Sequence, residues 1–215
     1  MSKVEVELMK VYIGWSGETS KEIASILESW LPLMNPHIEA FSIVDVPTGA
    51  AWRYTFFKNL LVCDCAIFCF AQDNINSPWL LYEAGVVSGA EKQIIPLLFD
   101  VPSSHLPDPL RFFQPIPFTK DRIWQMALTL NDLCGQDAFS FQELAMKFDE
   151  LYPTVEKMVE QVRDSRKKQP EQGTEDLKRD FATVNSKLDA ILSRLSNVSV
   201  SDFYGGFYPR QENSL

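Results

Sequence analysis

The sequence predicts an α/β fold: a five-stranded parallel sheet with helices on both faces, followed by a C-terminal helical extension with a short coiled-coil segment. Three observations predict it. Short apolar runs alternate with helix-period stretches over residues 10–133, the pattern of strand–helix–strand units that build parallel sheets. One run, Cys65–Ala71 (CAIFCFA), is apolar throughout, as expected of a central strand covered on both faces. Near the C-terminus, Leu177, Phe181, Val184, Leu188, Ile191, Leu195 and Val198 fall at alternating spacings of four and three, an a/d seam of about three heptads.

Taken in order, Lys10–Trp15 (KVYIGW) reads as a short buried first strand. The loop SGETSKE then runs into a helix, with Thr19 and Glu22 at the spacing of a capping box. Ile23, Ile26, Leu27, Trp30 and Leu31 form its apolar stripe, and Pro32 and Pro36 are expected to stop it. His37–Val44 is the second strand. The turn Asp45–Gly49 leads to an aromatic-rich helix over about Ala50–Leu61, and Cys65–Ala71 is the third strand. After the polar loop Gln72–Ser77, Ser77 is placed to cap a helix and Pro78 sits at its favoured first position; this helix runs to about Ala90. Gln93–Phe99 is the fourth strand, and its Pro96 suggests an edge or an irregularity. A Pro-rich loop, a fifth strand at Ile116–Phe118 and a helix over about Asp121–Leu133 complete the alternation.

The rest divides into a helical extension over 136–162, a linker at 163–173, a coiled-coil or oligomerisation helix at 174–200 and a tail at 201–215. Ser140 and Glu143 form a second capping box ahead of Phe141–Val162, and Pro153 should kink or restart that helix. The heptad seam serves either pairing with another chain or folding back on the domain. The tail FYGGFYPR is either disordered or a docking peptide.

The net charge is −9, and residues 151–215 balance ten Lys/Arg against ten Asp/Glu, so residues 1–150 carry all of it. Direct nucleic-acid binding is therefore not expected, for want of a basic face. No apolar run is long enough to span a membrane, and the N-terminal stretch lacks a signal-peptide core; the expectation is a cytoplasmic protein. Cys63, Cys65, Cys69 and Cys134 lack zinc-like spacing, and the only histidines are His37 and His105. Core thiols in a reducing compartment are the simpler reading; a Cys–His pair or metal site is the other. There is no P-loop, no GxGxxG, no GxSxG elbow, and no acidic residue just after the first strand to hold a receiver-domain metal.

What remains is Glu83, the one charge on an apolar helix (Leu80, Leu81, Tyr82, Ala84, Gly85, Val86, Val87) just after the central strand. Trp79 lies four residues earlier, on the same helix face. A carboxylate in that setting is costly unless something uses it. An isolated W-x-x-x-E is most often structural, and Trp15, Ser16 and Trp52 each have ordinary packing or capping roles open to them.

The series VYIGWSGETSKEIASILESWL, SIVDVPTGAAW, CAIFCFAQDNINSPWLLYEAGVV and IIPLLF resembles a Toll/interleukin-1 receptor (TIR) domain, over roughly residues 9–135. It is most similar to bacterial TIR proteins of the NAD+-cleaving branch. The resemblance implies a flavodoxin-like TIR domain over 1–135 with NAD+ glycohydrolase or ADP-ribosyl cyclase activity. Glu83 would be catalytic. Trp15, Ser16, Asp45, Trp52, Ser77 and Trp79 would be substrate-binding, with 45–52 as the BB loop that gates the site and makes TIR–TIR contacts. It implies NAD+ as substrate, no cofactor or metal, self-association through TIR and C-terminal helix contacts, an activating protein partner, and a role in bacterial antiviral immunity. The alternatives are a non-catalytic TIR scaffold and a nucleoside deoxyribosyltransferase-like enzyme.

Overall fold

The computed structural model describes residues 8–43, 58 and 60–168. Two compact units divide the chain, 1–165 and 166–215; of the second, only residues 166–168 are described. The strands are β1 (Met9–Gly14), β2 (Ile38–Phe41), β3 (Cys65–Phe70), β4 (Gln93–Leu98) and β5 (Ile116–Pro117). The helices are α1 (Glu18–Met34), α2 (Pro78–Gly89), the single turn α3 (Asp108–Arg111), α4 (Lys120–Leu133) and α5 (Phe141–Lys168). Lys58, Leu60 and Leu61 are helical too; the rest of the expected 50–61 helix lies outside the described residues.

All strand pairs are parallel, in the order β2-β1-β3-β4-β5. The α/β sheet expected from the sequence is therefore present. The strand order reverses between β1 and β3, which makes their carboxyl ends the topological switch point, where open α/β sheets place ligands. Gly14, the last residue of β1, lies in register with Phe68 of β3.

Alternation along the strands feeds two apolar layers. Val11, Ile13, Cys65, Ile67, Cys69, Ile95 and Leu97 face one layer, which α1, α4 and α5 cover. Tyr12, Ala66, Phe68, Phe70, Ile94 and Leu98 face the other, beneath α2. β3 is buried at every position.

Four local expectations need correction. Gly17, with φ +89°, stands at the N-cap of α1 and no side chain caps the helix, so Thr19 and Glu22 form no capping box. Pro32 lies inside α1 rather than ending it; only the last two residues follow it, and burial of Met34 offsets the one backbone hydrogen bond lost there. β4 is an interior strand despite Pro96. Leu98 points its carbonyl toward β5, accepting from Phe118 N–H at 2.8 Å, and Pro96 shares that side. β5 begins only opposite Leu97, so the missing N–H costs no ladder bond. Last, α5 runs through Pro153 and past Val162 to Lys168, so the first residues of the expected linker are helical.

The Ser140–Glu143 capping box is formed, with Glu143 N–H donating to Ser140 Oγ at 3.3 Å and Ser140 N–H to Glu143 Oε2 at 3.0 Å. From there Leu144, Phe148, Tyr152, Val155, Val159 and Val162 run as a buried stripe at helical spacing and share the core of α1 and α4. The Arg163 guanidinium closes this packing, pairing with Asp100 at 3.1 Å and lying 5.4 Å from the centre of the Phe99 ring.

Candidate active site

α2 is positioned by the loop that leaves β3. Asn74 is buried and spans that loop: its Oδ1 accepts from Ala71 N–H at 2.7 Å and its Nδ2 donates to the Cys69 carbonyl at 3.0 Å. Ser77 then caps α2, its Oγ accepting from Leu80 N–H at 3.4 Å, with Pro78 in the first turn. Although α2 is apolar on most sides, only Leu80, Glu83, Ala84 and Val87 are buried. Its single charge thus faces the sheet. Glu83 is 2% exposed, whereas Trp79 is 39% exposed.

The carboxyl arrives at the end of β1. A Cβ built on Gly14 would stand 3.1 Å from Glu83 Oε2 and would overlap the Phe68 ring. The absence of a side chain at Gly14 is what lets carboxyl and ring meet the strand there. Tyr12 lies one pleat earlier on the same face, and it and the Trp79 side chain favour the ionised form of the Glu83 carboxyl. Oε2 is buried and has no hydrogen-bond partner among the described residues. Burial pushes the Glu83 carboxyl up to about 7, against the smaller downward pull of Tyr12 and Trp79. Tyr12 is raised far above the usual phenol range, by burial first and then by the neighbouring Glu83 charge.

Ser77, Trp79 and Glu83 therefore sit together on α2, with Trp79 and Tyr82 ring centres 5.8 Å apart on its outer side. Ser16 lies in the loop after β1. Its N–H donates to Ser20 Oγ at 3.1 Å, and the Ser20 hydroxyl donates to the Ser16 carbonyl at 2.7 Å. This loop is tied to the one after β3 by Asp73, whose Oδ2 accepts from Thr19 N–H at 3.4 Å. Trp15 is not brought to Glu83. It packs against the layer on the opposite face of the sheet, with Lys21 Nζ 5.6 Å from its ring centre. Asp45, Trp52 and the BB-like loop lie outside the described residues.

Sequence reasoning missed Tyr12, Gly14, Asp73 and Asn74. The signal for Gly14 was a glycine closing an otherwise apolar strand, a mark of close approach. The four thiols offer no competing nucleophile. Burial raises Cys63 and Cys134 to about 11 and lifts Cys65 and Cys69 well above their usual range. Among the described residues no group of three or more His, Cys, Asp and Glu could hold a metal ion, and no helix is long and apolar enough to cross a membrane.

No protein-family model and no curated protein matches the sequence. Among solved structures, the chain is similar to the TIR domains in the structure of the activated Roq1 resistosome directly recognizing the pathogen effector XopQ. Identity is 14%, the TM-score is 0.38, and the match covers 73% of this chain and 98% of that one. A likeness so distant assigns no residue, and the site stands on its own geometry.

Proposed function

We propose that the protein is a TIR-type NAD+ glycohydrolase or ADP-ribosyl cyclase that cleaves the nicotinamide–ribose bond, with Glu83 as its catalytic residue. The observation that carries this reading is the Glu83 carboxyl, buried beside the switch point with no hydrogen-bond partner for Oε2 among the described residues. A buried carboxylate kept for structure is paired and fully hydrogen-bonded. One left open at a ligand-binding edge favours use by a ligand. The resemblance of the S-P-W-x-x-x-E block to the NAD+-cleaving TIR branch supplies the substrate.

The chemistry suits a single carboxylate. When the bond from ribose C1′ to the cationic nicotinamide breaks, its electron pair goes to the ring nitrogen and the leaving group departs neutral, so no general acid is required. Positive charge develops on the sugar, as in glycoside hydrolysis. A desolvated carboxylate beside the ribose hydroxyls orients the sugar and offsets that charge more strongly than it would in water. Water adding at C1′ and losing a proton gives ADP-ribose; capture by the molecule's own adenine gives a cyclic isomer. Ser77 and Trp79 border the carboxylate, and Ser16, Asp45 and Trp52 are the further substrate contacts implied by the resemblance. On this reading the enzyme is cytoplasmic, bacterial and antiviral. Self-association or a protein partner switches it on through the BB-like loop and the heptad helix, which keeps it from draining NAD+ when idle.

Incubation with NAD+ and chromatography of the products tests the reading. Nicotinamide release is expected, rising per molecule with protein concentration, and Glu83→Gln should lower it by about 100-fold or more. Equal rates for parent and Glu83→Gln would remove Glu83 from catalysis. No release at any concentration would leave a scaffold.

A further inference from the structure

We propose that Asp73 is a positioning residue of the candidate active site: from the loop that leaves β3 its carboxylate caps α1, and so locks the loop after β1 to the limb that carries Glu83. The effect on turnover rests on the NAD+ reading; the lock between the loops does not.

α1 has no cap of its own. Gly17 stands at its N-cap and has no side chain to accept from the first turn, where a helix start leaves N–H groups without intrahelical partners. Ser20 is spent within the loop: its hydroxyl donates to the Ser16 carbonyl at 2.7 Å and accepts from Ser16 N–H at 3.1 Å. The acceptor comes from 54 residues away, where Asp73 Oδ2 takes Thr19 N–H at 3.4 Å. A carboxylate in that position also meets the positive end of the α1 dipole.

A second contact places the carboxylate there. A Cβ built on Gly17 would stand 3.1 Å from Asp73 Oδ2 and 3.5 Å from its Cγ. Gly14 repeats the arrangement at the end of β1, where a Cβ would stand 3.1 Å from Glu83 Oε2. The exit of β1 is thus met by two carboxylates of one limb, Asp73 ahead of α2 and Glu83 within it, each at a glycine that leaves it room. The limb between them is stiff. Asn74, next to Asp73, is 5% exposed and holds the Ala71 N–H and the Cys69 carbonyl. Ser77 N–H donates to the Asn74 carbonyl at 2.8 Å, and Ser77 Oγ caps α2 through Leu80 N–H. A hydrogen-bonded path therefore runs from Ser16 through the start of α1 and Asp73 to α2, and cutting it at Asp73 lets the two loops move independently. A ligand at the switch point sits between such loops, so their spacing decides how completely the site is formed before the ligand arrives.

The test is Asp73→Ala and Asp73→Asn in the full chain, read by amide hydrogen exchange and by NAD+ cleavage. Asp73→Ala should speed exchange about fivefold at Thr19, and also at Ser77 and Leu80 across the gap, because the bond that joins the loops is lost. Asp73→Asn keeps an acceptor oxygen and should hold all three amides within about twofold of the parent. KM for NAD+ should rise about fivefold in Asp73→Ala with kcat within about twofold, the mark of a site less fully formed rather than of chemistry lost. Asp73→Asn should restore it. Faster exchange at Thr19 alone reduces Asp73 to a helix cap and overturns the proposal. So does the parent's exchange at all three amides in Asp73→Ala, an Asp73→Asn as loose as Asp73→Ala, or an unchanged KM where nicotinamide is released. If the three amides loosen together while neither protein releases nicotinamide, the lock stands and the NAD+ reading falls.

Discussion

The charge of Glu83 works against the fold that holds it. Its folded carboxyl titrates near 7 rather than 4.5, so the native state binds this proton more tightly than the unfolded chain does. The group is mostly neutral in both states at about pH 4. As pH climbs from 4.5 to 7 the unfolded chain ionises first, and native stability falls by about 3 kcal/mol before levelling off. Glu83→Gln abolishes that loss. Urea unfolding at pH 8 should show the variant more stable by about 1–3 kcal/mol, with little difference at pH 4.5. A parent whose stability is flat across this window would mean the carboxyl is solvated. Gly14→Ala tests the other half of the contact. The methyl meets the Phe68 ring and Oε2, and should cost about 1–3 kcal/mol by overpacking while abolishing nicotinamide release.

At the scale of elements, the loop after β3 depends on one side chain. Asn74→Ala strands the Ala71 N–H and the Cys69 carbonyl inside the protein. We expect a loss of about 1–3 kcal/mol together with a fall in activity, because the same loop aims α2; thermal melting and turnover measured on one preparation would check both. The five strands and the helices between them were legible in the sequence because alternation and helical period are local properties. Helix ends were less so. The Thr19–Glu22 spacing looked like a cap, but Gly17 turns the chain through a positive φ and Asp73 reaches across from another loop. Pro32 looked like a stop and Pro153 like a kink or a restart, yet both helices carry buried apolar residues beyond them. Glu83 announced itself as a lone charge on an apolar helix. Tyr12 and Gly14 did not, because their role exists only once β1 pairs with β3 and α2 lies across the sheet.

For the whole molecule, the sequence placed a boundary at residue 135, but the α5 stripe supplies one wall of the core. A chain cut after residue 135 exposes that wall, and should be insoluble or molten by near-ultraviolet circular dichroism and dye binding, whereas one ending at residue 168 should fold. Removing 174–215 from the full protein is a separate question, of assembly. Light scattering should show fewer copies per particle and the concentration dependence of turnover should weaken; an unchanged number of copies takes the heptad seam out of regulation.

The two apolar layers have a practical consequence. α1, α4 and α5 cover one side of the sheet, and the Glu83 carboxyl lies on the other, under α2. Substitutions that repack the first side should tune the melting temperature while leaving the Glu83 titration untouched. The protein thus offers a workbench on which robustness and reactivity can be adjusted one at a time, with the strands of a single sheet as the partition between them.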